Sequence, residues 1–505
     1  MPRFKSYDYR QSVLLPVNLE DQIQPGTLEF IIHTLVEEQI DMKVFDGKYN
    51  NDDTGRKAYD PKVLLKIILL GYSRGLNTSR RLEKACRDNV VFMAMACGQQ
   101  PDHSTIAAFV SSMKEEILSV FTDVLLVCDH QGLLGGTVFA LDGCKLSSNA
   151  SKHRSGTIED LKRKKAKLSN KVKQLLSEQE AADKTAGVKD EEILGRDRQK
   201  QAEKLKKQAD RIGKWLSENS PKIGASGKEV KSNLTDNDSA MMTTDTYGTL
   251  QGYNGQALVD AKCQVIVNAE AFGTGSDGQM LGPMVDGAKK NFEEIGYPQD
   301  HFKGKILTAD SDYHSKVNLG KCDEEELDAY IPDKRFRTRD PRFRVKKRAL
   351  KKRRRVVLAD FKYNKTNDTY ICPAGKILKL NARNIISTDT IYNRYKSDRK
   401  DCEYCRLRHK CFTGKGGHRR ALMVPVGATE NNISQKMIKK VESDRGKEIY
   451  PLRMAIVEPV FGNIRIQKQL DRFTLRGKQK VNIQWLLYCL VHNIEKILHY
   501  GWAYT

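Results

Sequence analysis

The sequence predicts a mixed α/β core with helical and basic insertions, and three observations predict it. Short apolar strand-like runs alternate with helical patterns on both sides of long polar stretches. The first 125 or so residues carry helical spacing throughout. Lys plus Arg number 87 against 64 Asp plus Glu, a formal charge of +23, and the excess gathers between the apolar blocks. At 505 residues, 39% of them hydrophobic, the chain is long enough for roughly two to four domains with sizeable cores.

In chain order, residues 1–130 read as a helical N-terminal domain. Asp60-Pro61 is a helix start, an N-cap acid followed by Pro at N1. Val63, Leu64, Ile67, Ile68 and Tyr72 continue it at helical spacing. Gly75-Leu76-Asn77 breaks the run, and Thr78 or Ser79 caps a second helix with Arg80, Arg81, Leu82 and Cys86. Pro101-Asp102-His103-Ser104 caps a third, through Ile106, Phe109 and Met113. Helix, short break and basic helix fit a DNA-binding helix-turn-helix with Arg80 and Arg81 as contacts, and fit a plain helical bundle equally well.

Residues 131–156, 225–330 and 440–505 read as the α/β core. Its first strand is TVFALDGCKL, from Thr137 to Leu146. Two strands follow at YNGQALVDA and CQVIVNAEAF, then a helix from about Gly278 to Ile295. KILTAD, Lys305 to Asp310, is a short strand ending in an acid, and from Arg445 the pattern returns to helix. Residues 157–224 form a helical-hairpin insertion. Ile158, Leu161, Leu168, Val172 and Leu175 make one heptad seam, and Ala202, Leu205, Ala209, Ile212 and Leu216 a second, with a polar break from Ala181 to Asp190. The outer faces are rich in Lys and Arg, which suits either a DNA-contacting arm or a solvated surface. Residues 331–439 form a basic insertion that contains Arg335, Arg337, Arg342, Lys346, Lys347, Lys351 and Arg353 to Arg355, followed by a cysteine cluster.

A charge of +23 repels itself unless a polyanion neutralises it, and nucleic acid is the usual partner of such a chain; general solubility is the alternative. Met1 to Arg10 has no apolar signal core. No apolar run approaches the roughly 18 residues of a membrane span. A cytoplasmic, nucleoid-associated protein without a membrane partner is expected. The 11 cysteines mostly stand alone, which argues against a disulfide framework.

Asp142 lies mid-strand in apolar surroundings, Asp310 ends a strand, and Glu458 lies on a predicted helix interrupted by Pro459. A charge in such a strand is costly unless paired or bound to metal. Two Asp and one Glu brought together are hard oxygen ligands suited to Mg²⁺ or Mn²⁺. Composition does not choose these three among 64 acids.

The choice comes from resemblance. LDGCKLSSNASK, LTADSDYHS and RMAIVEPVFGNIR, in that order, resemble the three catalytic blocks of bacterial DDE insertion-sequence transposases. The nearest resemblance is to the family numbered eleven-eighty-two, a relative of the IS-four and IS-five groups. YDPKVLLKIILLGYSRG and PDHSTIAAF resemble that family's N-terminal helical domain, and NLTDNDSAMM with GYNGQALVD its second and third strands. The resemblance implies a ribonuclease-H-like core in which Asp142, Asp310 and Glu458 bind catalytic Mg²⁺ or Mn²⁺. It also implies DNA as substrate, both terminal inverted repeats and target, and a homodimer on DNA. Tyr450 and Arg453 match in type the Tyr and Arg that precede the Glu in related enzymes. Arg465 stands where they carry Lys, and the spacing from Arg453 to Glu458 is one residue longer. Arg453 and Arg465 are therefore expected phosphate contacts, with Lys145 and Lys152 of the first block. The usual Asp-x-Gly-Tyr of the second block is Asp310-Ser311-Asp312-Tyr313 here, which makes Asp312 a competitor for Asp310. Asp236 and Asp238 are read as turn formers.

Cys372, Cys402, Cys405 and Cys411 have the spacing of a tetrahedral structural Zn²⁺ site, with His409 as a substitute ligand; reduced free thiols are the alternative. The expected function is strand cleavage at element ends, followed by attack of the freed 3′-hydroxyls on target DNA. Another ribonuclease-H-like endonuclease or resolvase, or an inactive DNA-binding derivative, remains the alternative.

Overall fold

The computed structural model describes residues 18–49, 57–183, 189–224, 227–244, 248–340, 342, 356–387, 390–412, 419–425 and 433–501. Two compact units form. The larger takes the chain up to Tyr313, Lys321–Ala329 and everything from Ile449 on; the smaller takes His314–Gly320 and Tyr330–Glu448.

The larger unit opens with α1 (Leu28–Thr34), α2 (Pro61–Ser73), α3 (Ser79–Asp88), α4 (Val90–Met95), α5 (His103–Ser112) and α6 (Lys114–His130). Two of the three expected caps form. Asp60 accepts from the Lys62 amide at 2.8 Å, and Asp102 accepts from Ser104 and Thr105 at 2.8 and 2.9 Å. Thr78 stands at the N-cap of α3 without a side-chain cap bond. The third expected helix stops at Ser112, and α6 starts anew at Lys114. Then come β1 (Val138–Ser147), β2 (Ser155–Gly156), α7 (Ile158–Asp183) and α8 (Lys189–Glu218). The two long helices pack together, with Leu161, Leu175, Ala202, Ala209 and Ile212 of the expected seams buried.

After the two short pairs β3 (Lys222–Ile223), β4 (Glu229–Val230) and β5 (Ser232–Asn233) with β2, the chain builds β6 (Ala240–Thr244), β7 (Gly248–Asp260), β8 (Ile266–Phe272), α9 (Leu281–Glu294), β9 (Ile306–Ala309), α10 (Lys316–Glu324) and β10 (Asp328–Tyr330). The main sheet runs β10-β9-β1-β7-β6, with β8 also paired to β7. β1 is antiparallel to β7 and parallel to β9, so the sheet is mixed.

The smaller unit holds α11 (Phe336–Arg339), β11 (Lys362–Asn364), β12 (Thr369–Ile371), β13 (Ile377–Ser387), β14 (Thr390–Ser397), α12 (Arg399–Glu403), α13 (Arg408–Cys411), β15 (Ala421–Pro425), α14 (Ile433–Glu442) and α15 (Asp444–Ile449). β11 to β15 form a five-stranded antiparallel sheet in sequence order, an element the sequence reading did not foresee. Its core is small: Val356, Phe361, Leu378, Tyr395 and Leu422. Most of the basic tract, including Lys346, Lys347, Lys351 and Arg353 to Arg355, lies outside the described residues.

The larger unit closes with α16 (Leu452–Gly462), a π-helical turn at Asn463–Gln467, and α17 (Lys478–Tyr500). Pro459 lies inside α16. It has no N–H to donate, and the helix widens to π geometry just beyond it. α17 is buried almost all round, as a helix between two layers must be. It packs against β8 and against α1, α2, α5 and α6. Its amides satisfy backbone groups of β8. Asn493 accepts from the Ile266 N–H and donates to the Ile266 carbonyl, both at 2.8 Å, and Asn482 accepts from the Ala271 N–H at 2.6 Å. Among the described residues, no helix is long and apolar enough to cross a membrane.

Candidate active site

Sheet register brings two of the expected acids together. Leu141 of β1 pairs with Ala309 of β9 in parallel, so Asp142, midway along β1, and Asp310, the residue just after β9, follow the last paired residues and stand next to each other. Asp142 Oδ2 accepts from Arg453 Nη1 of α16 at 2.6 Å, and its Oδ1 from the Gly143 N–H at 2.8 Å. Burial pushes the Asp142 carboxyl up to about 6; Arg453 and the Gly143 amide pull against that, and the negative charge of Asp310 adds to it. Asp310 Oδ1 accepts from the Asp312 N–H at 2.8 Å, and the Asp310 carbonyl accepts from the Tyr313 N–H at 3.3 Å, which closes a tight turn behind the acid. Asp312 is exposed.

Glu458 lies on α16, five residues beyond Arg453, and is exposed. Among the described residues no group of three His, Cys, Asp or Glu side chains is placed to hold a metal ion. The acid pair nonetheless fits a divalent cation as two of its ligands. Its oxygens are hard donors on neighbouring parallel strands, and half-burying one carboxylate beside another is unfavourable without positive charge nearby. Arg453 supplies that charge here. It is 9% exposed and its Nε is buried without a hydrogen-bond partner.

The other expected contacts are spread along β1 and beyond. Arg465, on the π turn, has a buried Nε without a partner. Burial pushes the Cys144 thiol up to about 12, and the charge of Arg465 opposes that rise, which puts Arg465 beside β1. Lys145 Nζ donates to the Thr243 carbonyl at 3.4 Å. Lys152 is exposed just past the strand, and Arg80 and Arg81 are exposed on α3. Asp236 and Asp238, expected as turn formers, tie the segment before β6 to β7 and to the distant start of α17. Asp236 accepts from the Tyr253 hydroxyl at 2.7 Å and Asp238 from the Lys478 N–H at 2.8 Å.

Sequence reasoning missed two groups. Exposed Arg472 and Arg476 donate through Nε to the carbonyls of Ser148 and Asn149, at 2.9 and 2.8 Å, and so extend the basic surface where β1 runs out. Ser147 lies about 17 Å along the strand from Asp142, at ~3.3 Å per residue. The second group is Asn254 and Gln256 of β7 with Asp277, which precedes α9. The available signal was two amides at alternate positions, Asn254 and Gln256, within the buried part of β7.

In the smaller unit, Cys372, Cys402, Cys405 and Cys411 line one cavity of about 20 Å³, room for a single occupant of water or ion size. Burial pushes the Cys411 thiol up; Arg420 opposes this, and the other three cysteines add to it. The Lys376 N–H points at Cys372 Sγ at 3.3 Å, and Ser397 Oγ lies 3.0 Å from Cys402 Sγ. The donors match zinc in type, and they share a cavity without closing on one point.

Comparison with known proteins adds two matches. Residues 371–498 match the family model described as "Transposase DDE domain". Residues 17–112 match the one described as "Transposase domain (DUF772)". No curated protein and no solved structure matches. Both matches point the same way, to a DNA transposase of the DDE type.

Proposed function

We propose that the larger unit carries a ribonuclease-H-like catalytic core that cuts the ends of an insertion sequence and joins their 3′-hydroxyls to target DNA. Membership of the family numbered eleven-eighty-two is part of the same reading. The observation that carries it is the parallel pairing of Leu141 with Ala309, which sets Asp142 and Asp310 next to each other, with Arg453 hydrogen-bonded to Asp142. In this reading both aspartates bind Mg²⁺ or Mn²⁺, and Glu458, on the helix that already touches Asp142 through Arg453, completes the set. Such ions, when bound, help deprotonate water or a 3′-hydroxyl and stabilise the departing 3′-oxygen.

The chain's own residues do the rest. Arg453 keeps Asp142 ionised despite its burial. Arg465 and Lys145 flank the acids along β1, where a scissile phosphate needs cationic neighbours. Lys152, Arg472 and Arg476 continue the track for the DNA backbone. Arg80 and Arg81 on α3 and the lysines of the α7–α8 hairpin add phosphate contacts, which fix position rather than sequence. The protein acts as a homodimer that holds two element ends. The four cysteines bind a structural Zn²⁺, which adds stability to a unit with little apolar core.

Mg²⁺-dependent nicking and strand transfer with element-end DNA test this. Asp142→Ala, Asp310→Ala and Glu458→Ala are each expected to abolish both reactions and to retain DNA binding. Full activity in any one removes that residue from the catalytic set.

A further inference from the structure

We infer that Asp277 is a positioning residue for Asp310, acting through Gln256 and Tyr313. The inference rests on the catalytic reading of Asp310 above and extends it to residues that reading does not use.

The geometry is a chain of hydrogen bonds through the interior. Asp277 Oδ1 accepts from Asn254 Nδ2 at 2.6 Å and from Gln256 Nε2 at 2.8 Å. With its amino group held there, Gln256 turns Oε1 toward the Tyr313 hydroxyl, which donates to it. The Gln256 carbonyl is itself fixed, accepting from Trp485 Nε1 of α17 at 2.9 Å. Tyr313 is the last residue of the turn that begins at Asp310, and its N–H closes that turn. The segment that carries Asp277 also lies against the turn directly. A Cβ built on Gly278 would stand 3.8 Å from the Asp312 carbonyl oxygen.

Burial makes the arrangement costly to keep unless it has a use. Gln256, Asn254 and Tyr313 are each 1% exposed or less. Apolar side chains of similar size would fill the same space without desolvating two amides and a hydroxyl. What the polar chain adds is direction. An amide held at one end presents a single atom to Tyr313, and the tyrosine ring fixes where the turn sits at the end of β9. Asp310 reaches the site from only one residue beyond that strand, so a small shift of the turn moves its carboxylate relative to Asp142.

The test uses the full-length protein with two readouts. One is the split of kcat and KM for nicking a supercoiled plasmid; the other is calorimetric Mn²⁺ affinity without DNA. Asp277→Ala and Tyr313→Phe are expected to lower kcat and weaken Mn²⁺ binding by ~10–100-fold, the usual effect of losing a support behind a ligand, with KM for DNA unchanged. Asp277→Asn keeps an oxygen that accepts from both amides and is expected to stay near the native values. Tyr313→Phe removes one hydroxyl only and keeps the test open if Asp277→Ala fails to fold. An Asp277→Asn protein as impaired as Asp277→Ala overturns the inference, because the charge itself would then be what matters. Native values in both Asp277→Ala and Tyr313→Phe, alongside an inactive Asp310→Ala, overturn it and leave the catalytic reading standing. An active Asp310→Ala overturns that reading and the inference together.

Discussion

Gly143 shows how closely the two faces of the sheet are coupled at the acid pair. It follows Asp142 in β1 and faces Gln256 across the β1–β7 register. A Cβ at this position would lie 2.7 Å from Asn254 Oδ1 and closer still to Gln256 Nε2. Gly143→Ala therefore forces both amides aside, an overpacking cost of about 1–3 kcal/mol. The expected result is a lower thermal midpoint with nicking reduced more than DNA binding; native stability together with native nicking would contradict the close approach. Asp142 and Asp310 stood out in the sequence as charges attached to apolar strands, but it was resemblance that chose them among the 64 acids. Gly143, Asn254, Gln256 and Asp277 did not stand out. Gly143 meets the amides through cross-strand register between segments more than a hundred residues apart, and Asp277 meets them through a tertiary contact across a strand and a loop, which no local pattern encodes.

At the scale of elements, helix starts were the most legible features, since Asp60 and Asp102 act on amides two or three residues away. Lys66 was harder to read. In sequence it only interrupts the apolar run of α2, whereas in the fold it is 2% exposed and pairs with Glu37 at 2.8 Å. Burial by itself would raise the Glu37 carboxyl, but Lys62 and Lys66 overcome it and hold the group down at about 2, from 4.5. The folded state thus binds its proton less readily than the unfolded chain does. The resulting stability is complete above pH 4.5 and is lost as the pH falls toward about 2. Glu37→Gln leaves a buried ammonium unpaired and is expected to cost toward the low end of about 3–5 kcal/mol near neutral pH. The gap in thermal midpoint between native and variant should close between pH 4.5 and 2; a gap independent of pH would refute the pairing. The five-stranded sheet was not legible because two of its strands are three residues long and the longer ones carry many polar side chains outside a small core.

Across the whole molecule, a charge of +23 and a mixed sheet that sets two acids on neighbouring parallel strands suit the metal-dependent DNA cleavage proposed above. The succession of helices and strands was readable in part because apolar periodicity switches between helix and strand along the chain. The site was readable only as isolated acids, because its assembly depends on β1 and β9 pairing across a separation that encloses the entire hairpin. The central claim is that Asp142 and Asp310 hold a divalent cation between them. The most direct measurement replaces Mg²⁺ with Fe²⁺ and maps where ascorbate and peroxide cut the polypeptide. The account predicts Mg²⁺-competed cuts near residues 142 and 310, with a further cut near 458 if Glu458 joins the set, all lost in Asp142→Ala. Cuts confined to other segments, or unchanged in that variant, would contradict it.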